Sequence, residues 1–524
     1  MKKTVSVLLC AALLSLSVCP AFAAAEKVDY VITNPYDAVD WDSWTGYKAQ
    51  LHCQTTASDG YQPIREAIAD YYALDYDIVA ITDHGTTNRG WDTAPQLIPI
   101  VREIKKERTG GANNPVVPLS AEEYAAYTNG TAESVTFACT RGVKGGDMIY
   151  TGRSRTHENG MLDVPGGNEL NMATPVCDCH LTCYWSDYGQ GYAGVYGDYE
   201  TPVREVAKDG GVTMLAHVGE YVYPDKDSAD HVGQPVDEYF VNKFARIFLD
   251  NPGSCAGMGI NSATDAHTRC DRILYDSILK KTIPNGVTPW GFTFSDSHSA
   301  NTLNDAYTVM YMPELTNEAL RESMLGGTFF AVSHYSNGFE LNGMQEMEGY
   351  LDENCDDVIW WEDDTPLVTR VEVDEENDVI KVWGENFNYI TWVSGGNVVK
   401  RDYDCAEGYA ELDLNDPDLL DGIDTFIRFY LSGDNGICYA QPMTVIPEGE
   451  SFEPVFVPET HDLSTFLRNL VTVLDWLVFK FNPVIWAFKY FALGYDPVKQ
   501  AYESVGDAVS EAAGGVAGLL SALR

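Results

Sequence analysis

The sequence predicts an α/β chain: a large region in which strands and helices alternate, then a small antiparallel β-sandwich, then a helical tail. Three observations predict it. From Ala49 to about Phe330, short apolar runs such as Ile78-Val79-Ala80-Ile81 and Val212-Thr213-Met214-Leu215 alternate with helical patterns such as Ile64 to Leu74, as in a parallel sheet or barrel. Over residues 366–447 the apolar period falls to two, in Val371/Val373, Ile380/Val382 and Ile427/Phe429/Leu431. From Leu463 to Phe481 apolar residues recur at helical spacing until Pro483 interrupts.

Composition sets the outer limits. The 524 residues are 45% hydrophobic and 12% aromatic, which excludes disorder as the main state. With 34 Lys+Arg against 78 Asp+Glu the formal charge is −44. A chain this negative repels a polyphosphate backbone, so nucleic-acid binding through a basic surface is excluded.

The elements follow in order. Lys2 and Lys3, the apolar run Val5 to Val18 and the small-x-small triplet Ala21-Phe22-Ala23 read as an export signal over residues 1–24, which places the mature chain outside the cytoplasm or at the cell surface. Cys10 and Cys19 leave with it, and the remaining cysteines are too sparse for a disulfide scaffold. Residues 25–345 form the large α/β unit, with an insertion at about 115–165. Residues 366–447 form the sandwich, where Gly433-Asp434-Asn435-Gly436 makes a turn, and 448–462 a linker. In the tail, 463–524, Asp475, Lys480 and Lys489 interrupt the apolar pattern too often for a spanning helix. A helix lying at a membrane interface, in peripheral contact with lipid, fits the pattern, as does one packed on the protein itself.

The apolar runs of the large unit share a feature: each ends directly in polar residues that could bind metal. Asp83-His84 follow Ile81-Thr82, His217 follows Leu215-Ala216, and Asp296-Ser297-His298 follow Phe292 to Ser295. Parallel strands point their C-terminal ends at one face, so these side chains can converge there.

The ordered set is more specific than any member. Leu51-His52-Cys53-Gln54-Thr55-Thr56-Ala57-Ser58-Asp59-Gly60 comes first, then Ile81-Thr82-Asp83-His84, Gly166-Gly167-Asn168-Glu169-Leu170-Asn171, His180, Ala216-His217, Ser295-Asp296-Ser297-His298 and Gly326-Gly327-Thr328-Phe329-Phe330. Over roughly residues 48–335 this series resembles the PHP family, the polymerase and histidinol phosphatase metallohydrolases. The resemblance implies a distorted seven-stranded (βα) barrel holding two or three divalent ions, zinc, manganese or iron, at its C-terminal end. Carried over, it implies one ion on His52, Glu169 and Asp296, with Gln54 where a second His normally stands. A second would share Glu169 and add His180 and His217, and a third would take Asp59, His84 and His298. Asp83 would lie behind them, orienting a ligand His. The mixed imidazole and carboxylate donors suit these metals. Gln54 departs from the pattern: its neutral amide oxygen is a poorer donor than imidazole, so the first ion should bind weakly or be a harder cation.

Glu122 and Glu123 also follow an apolar run, Val116-Val117, and compete with Glu169; Gly-Gly-Asn before Glu169 and a nearby His favour Glu169. In Cys177-Asp178-Cys179-His180-Leu181-Thr182-Cys183 the spacing is wrong for haem attachment and no second pair follows for a zinc knuckle, so His180 reads as a barrel ligand. His157, His231, His267, His334 and His461 fall outside the motifs and read as surface or satisfied histidines.

The function implied is an exported metal-dependent hydrolase acting on a small-molecule phosphoester through metal-activated water. His84, His217 or His298 would pass a proton to the leaving group. Arg153 and Arg155, in the insertion, are the cations expected to receive the phosphate in so acidic a chain. Two readings compete: hydrolysis of an ester, carbamate or amide on the same centre, and a non-catalytic cell-surface binding protein on a barrel that has lost its chemistry.

Overall fold

The computed structural model describes residues 27–96, 116–143, 146–173, 178–190, 200–218, 236, 238–262, 269–336, 358–359, 364–403, 405 and 407–459. The export signal expected over 1–24 and the tail expected over 463–524 lie outside these residues.

Strands β1 (Tyr30–Thr33), β2 (Thr45–Gln50) and β3 (Ile78–Val79) come first. The insertion supplies β4 (Phe137–Val143), β5 (Gly146–Arg153) and β6 (Leu162–Asp163). Then come β7 (Asn168–Ala173), β8 (Asp178–Tyr184), β9 (Val212–Ala216), β10 (Cys255–Ser262), β11 (Trp290–Phe294), β12 (Ala306–Met312) and β13 (Phe329–Ser333). A short pair, β14 (Tyr335–Ser336) and β15 (Val358–Ile359), precedes β16 (Leu367–Asp374), β17 (Val379–Glu385), β18 (Tyr389–Ser394) and β19 (Asn397–Asp402). The last strands are β20 (Tyr409–Asp413), β21 (Phe426–Gly433), β22 (Gly436–Tyr439) and β23 (Met443–Pro447).

A mixed α/β architecture results. One sheet runs β1-β23-β21-β22-β13-β12-β2-β3-β6, with β18 and β19 attached through β21; a second runs β11-β10-β9-β8-β7. Parallel pairing joins β2 to β3, β3 to β6, β9 to β10 and β10 to β11, whereas β8 runs antiparallel to both β7 and β9. Every residue of β9 and β12 is buried, which is why these strands read as unbroken apolar runs rather than alternating ones. Beyond the C-terminal ends of β2 and β3 the two sheets touch through single bridges, Cys53 with Ser297 after β11 and His84 with Glu169 at the start of β7. Both bridges involve or adjoin candidate ligands.

Two helices show how the sequence sets helix packing and helix ends. Helix Ile64–Ala73 buries Ile64, Ala67, Ile68, Tyr71 and Tyr72, the three-and-four spacing of a core-facing stripe. Helix Asn317–Gly326 starts where Thr316 accepts the Ala319 N–H at 3.2 Å and stops at Gly327, whose φ of 75° a side-chain-bearing residue adopts only with strain.

The C-terminal strands differ from the free-standing sandwich that the sequence suggested. β16, β17 and β20 form a three-stranded sheet, but β18, β19, β21, β22 and β23 continue the long sheet of the α/β unit. β22 pairs with β13, Ala331 opposite Tyr439 and Ser333 opposite Ile437, and β23 pairs with β1. The physical reason is the free edge of β13: a row of unpaired backbone groups is satisfied by adding strands. A single hydrophobic cluster accordingly joins Ile68, Tyr71 and Phe330 to Val368, Ile380, Trp392 and Phe429.

Candidate metal centre

Most candidate ligands sit just beyond a strand, where the backbone leaves the sheet, and two sit within one. His52 and Gln54 follow β2, His84 follows β3, Glu169 and His180 lie on β7 and β8, His217 follows β9, and Asp296 and His298 follow β11. His217 (φ 30°) and Asp296 (φ 46°) hold left-handed backbone conformations. For these residues such conformations store strain, and they aim the side chains back across the strand ends. Gly167 belongs to the same construction: a Cβ there would lie 2.2 Å from the Ile81 carbonyl oxygen, so the chain beside Glu169 approaches β3 only as glycine.

Glu169 is the hub. It is 1% exposed, and its Oε1 lies 2.8 Å from His180 Nδ1 and 3.4 Å from both His52 Nε2 and His217 Nε2. Its Oε2 lies 3.3 Å from His84 Nε2. Asp296 faces the same space, with Oδ1 3.3 Å from His52 Nε2 and Oδ2 3.8 Å from His217 Nε2. Beyond it Asp59 meets His84 Nε2 at 3.5 Å and His298 Nε2 at 3.6 Å. Three triads have their donor atoms within 4.8 Å of one another: His52, His217 and Asp296; Asp59, His84 and His298; His84, Glu169 and His180.

This geometry fits divalent cations. The buried Nε2 of His52 has carboxylate oxygens of Glu169 and Asp296 beside it yet makes no hydrogen bond. Nitrogen and oxygen donors that crowd together without bonding each other are the arrangement a shared ion requires. Burial alone would raise the Glu169 carboxyl, but the imidazoles of His84, His180 and His52 hold it well below the usual carboxylate range. Asp296 is lowered against burial by His52 and His298. His298 is raised, burial opposing, by Asp296 and Asp59.

Supporting residues fix the ligands. His52 Nδ1 lies 2.8 Å from Thr82 Oγ1, which sets the ring and leaves Nε2 for the centre. His298 Nδ1 lies 2.9 Å from the Asp296 carbonyl. The rings of His52 and His217 stack 5.8 Å apart, and Phe294 packs edge-on to His52 at 5.1 Å. Thr82 was not singled out from sequence; the available signal was a hydroxyl directly before Asp83-His84 at a strand end.

Three sequence expectations need correction. Asp83 binds the neighbouring loop: it accepts from the Thr55 N–H at 2.8 Å, Thr55 Oγ1 at 2.7 Å and Ser58 Oγ at 2.6 Å, pinning the segment that carries Gln54 and Asp59. Burial raises its carboxyl to about 6. Gln54 does not turn its oxygen inward: that oxygen accepts from Ser58 Oγ at 2.8 Å while the amide nitrogen donates to Glu169 Oε2. Arg155 is not at the mouth. Its guanidinium reaches the Tyr76 carbonyl at 2.6 Å and Asp77 at 3.2 Å, beside the start of β3, whereas the ligands follow the strand's other end.

Arg153 lies on β5, in a hairpin with β4. Glu123 caps helix Ala121–Thr128 through Ser120 and pairs with Arg65 at 3.0 Å, and its neighbour Glu122 lies in that helix's first turn, so neither competes with Glu169. His157 Nδ1 is 2.9 Å from Asp77, a satisfied histidine. Cys53, Cys183, Cys255 and Cys438 are buried free thiols.

No protein-family model matches the sequence, and no curated protein matches it. Solved structures do. A two-domain protein from Bacteroides vulgatus, containing a predicted PHP-like metal-dependent phosphoesterase, matches at 13% identity over 80% of this chain and 100% of its own, with a TM-score of 0.34. A lesion-specific endonuclease from Pyrococcus furiosus matches at 11% identity over 54% of this chain and 56% of its own, TM-score 0.27. An amidohydrolase from Chromobacterium violaceum, solved with sulfate and no metal, matches at 13% identity over 48% and 87%, TM-score 0.24. PHP-like proteins are thus among the structural neighbours, at a distant level of likeness.

Proposed function

We propose that the chain is an exported metal-dependent phosphoesterase of PHP type. The observation that carries this reading is the convergence of three ligand triads on one buried carboxylate, Glu169, from segments that the sequence spreads over residues 52–298. In this reading β2, β3 and β7 to β11 are the seven strands of a distorted barrel, closed by the bridges Cys53–Ser297 and His84–Glu169.

His52, His217, Asp296 and Glu169 would hold one ion; His84, Glu169 and His180 a second; Asp59, His84 and His298 a third. Divalent ions bound there supply an activated water and neutralise phosphoryl oxygens, which the chain's charge of −44 otherwise repels. The protein's own part is to orient and to move a proton. Side-chain exposure separates the three histidines expected to do so: His84 is 5% and His217 2% exposed, His298 31%. His298 Nε2 would therefore be the atom to protonate a leaving oxygen whenever it is not ligating the third ion, with Nδ1 held on the Asp296 carbonyl.

The test is hydrolysis of p-nitrophenyl phosphate by metal-stripped protein reconstituted with manganese or zinc. Phosphate release that His52→Ala abolishes supports the reading. Cleavage of p-nitrophenyl acetate without phosphate release transfers the centre to ester or amide chemistry, and neither reaction, with His52→Ala silent, leaves a binding protein.

Export and peripheral membrane attachment through residues 463–524 complete the proposal. No described helix is long and apolar enough to cross a membrane. Deleting 463–524 should move the protein from the membrane fraction to the soluble one, and an unchanged distribution removes the attachment.

A further inference from the structure

We infer that Gln54 is a positioning residue that limits the number of tightly held ions, by spending one oxygen of Glu169 on its amide N–H instead of ligating. The inference rests on the metal-centre reading above. Gln54 is 2% exposed and lies between two groups that dictate its orientation. On one side the single Ser58 hydroxyl proton is shared between the amide oxygen at 2.8 Å and Asp83 Oδ1 at 2.6 Å, the latter also accepting the Thr55 N–H. On the other side the amide nitrogen donates to Glu169 Oε2. Turning the amide over would set oxygen against oxygen, two acceptors with no proton between them.

The consequence follows from which oxygen is used. Oε1 of Glu169 faces His52, His180 and His217, whereas Oε2 faces His84. His84 is also one of the three residues, with Asp59 and His298, that form the outer triad. A carboxylate bridges ions best when neither oxygen is committed elsewhere, and Oε2 spends one of its lone pairs accepting from Gln54, which weakens what it gives an ion. The outer ion is then held by Asp59, His84 and His298 with little help from Glu169, and it exchanges readily while the ions on the Oε1 side stay.

The experiment uses the full chain and manganese alone: metal-stripped wild type and Gln54→Leu are titrated, passed through a desalting column and their manganese counted by elemental analysis. Leucine keeps the volume and removes the N–H, freeing Oε2. The inference predicts that Gln54→Leu retains more manganese than wild type, with the weakest site tightened on the order of tenfold. Retention equal to or below wild type overturns it, because a ligating amide or a merely structural one can only be lost.

Should Gln54→Leu fail to fold, crystals of wild type soaked in manganese decide. Gln54 nitrogen on Glu169, with weak density at the outer triad, supports the inference; Gln54 oxygen bonded to an ion overturns it. If neither protein binds manganese at all, the metal-centre reading fails and takes this inference with it, an outcome distinct from a change of the wrong sign.

Discussion

Arg428, on β21, and Asp276, in helix Arg269–Thr282, form a two-pronged ion pair, Nε to Oδ1 and a terminal nitrogen to Oδ2, each at 2.8 Å, with both side chains 2% exposed. The pair joins the C-terminal strands to a helix of the α/β unit. Breaking a buried pair on one side leaves a stranded charge. Arg428→Met should therefore destabilise by about 3–5 kcal/mol, and Arg428→Met with Asp276→Leu by much less, as read from urea unfolding. The unfolding transition should stay single, because the two regions share a sheet and a core.

Glu169→Gln keeps shape and removes the charge that four imidazoles surround. Metal retained after desalting should fall, and phosphate release should drop at least about 100-fold with the circular dichroism spectrum unchanged. Full metal content in this variant would mean that Glu169 is no ligand.

Arg155→Ala should lower stability by about 2 kcal/mol and leave KM for a phosphoester unchanged. The guanidinium is bonded to Tyr76, Asp77 and Asn159 and stacks 4.6 Å from the Tyr72 ring, so it has no part in binding substrate. A large KM rise without loss of stability would restore the sequence's first assignment.

Asp163, on β6, gives a pH prediction away from the metal. Burial raises its carboxyl to about 7, with the Trp91 N–H opposing at 2.9 Å and Asp92 adding to the rise. A carboxyl with a raised folded pKa binds more protons folded than unfolded, so its contribution is complete below about 4 and is lost as pH rises towards 7. Asp163→Asn should remove that loss and stabilise the protein by about 2 kcal/mol at pH 8 with little change at pH 4. Denaturant midpoints at the two pH values measure it.

The sequence displayed His84, His217 and Asp296 because each follows an apolar run: Ile81 before Asp83-His84, Leu215 before His217, Phe294 before Asp296. Glu169 and His180 end no such run and were legible only through the ordered resemblance to the PHP family. What the sequence could not display depends on contacts between distant segments. The left-handed backbone at His217 and Asp296 has no signature in residues that are not glycine. Asp83 and Arg155 have side chains of the right type, and only three-dimensional neighbours decide that one holds a loop and the other a strand start. The alternation at Ile427/Phe429/Leu431 announced a strand but not its partners, since pairing with β18 and β22 depends on which edges are exposed.

The most direct test of the whole account is anomalous diffraction from crystals of the purified protein grown with manganese. The account predicts anomalous peaks within the space bounded by His52, Glu169, His180, His217 and Asp296, with His84 on the other oxygen of the same carboxylate. A map without peaks, in which His52 Nε2 and His180 Nδ1 bond directly to Glu169 and Asp296, would contradict it.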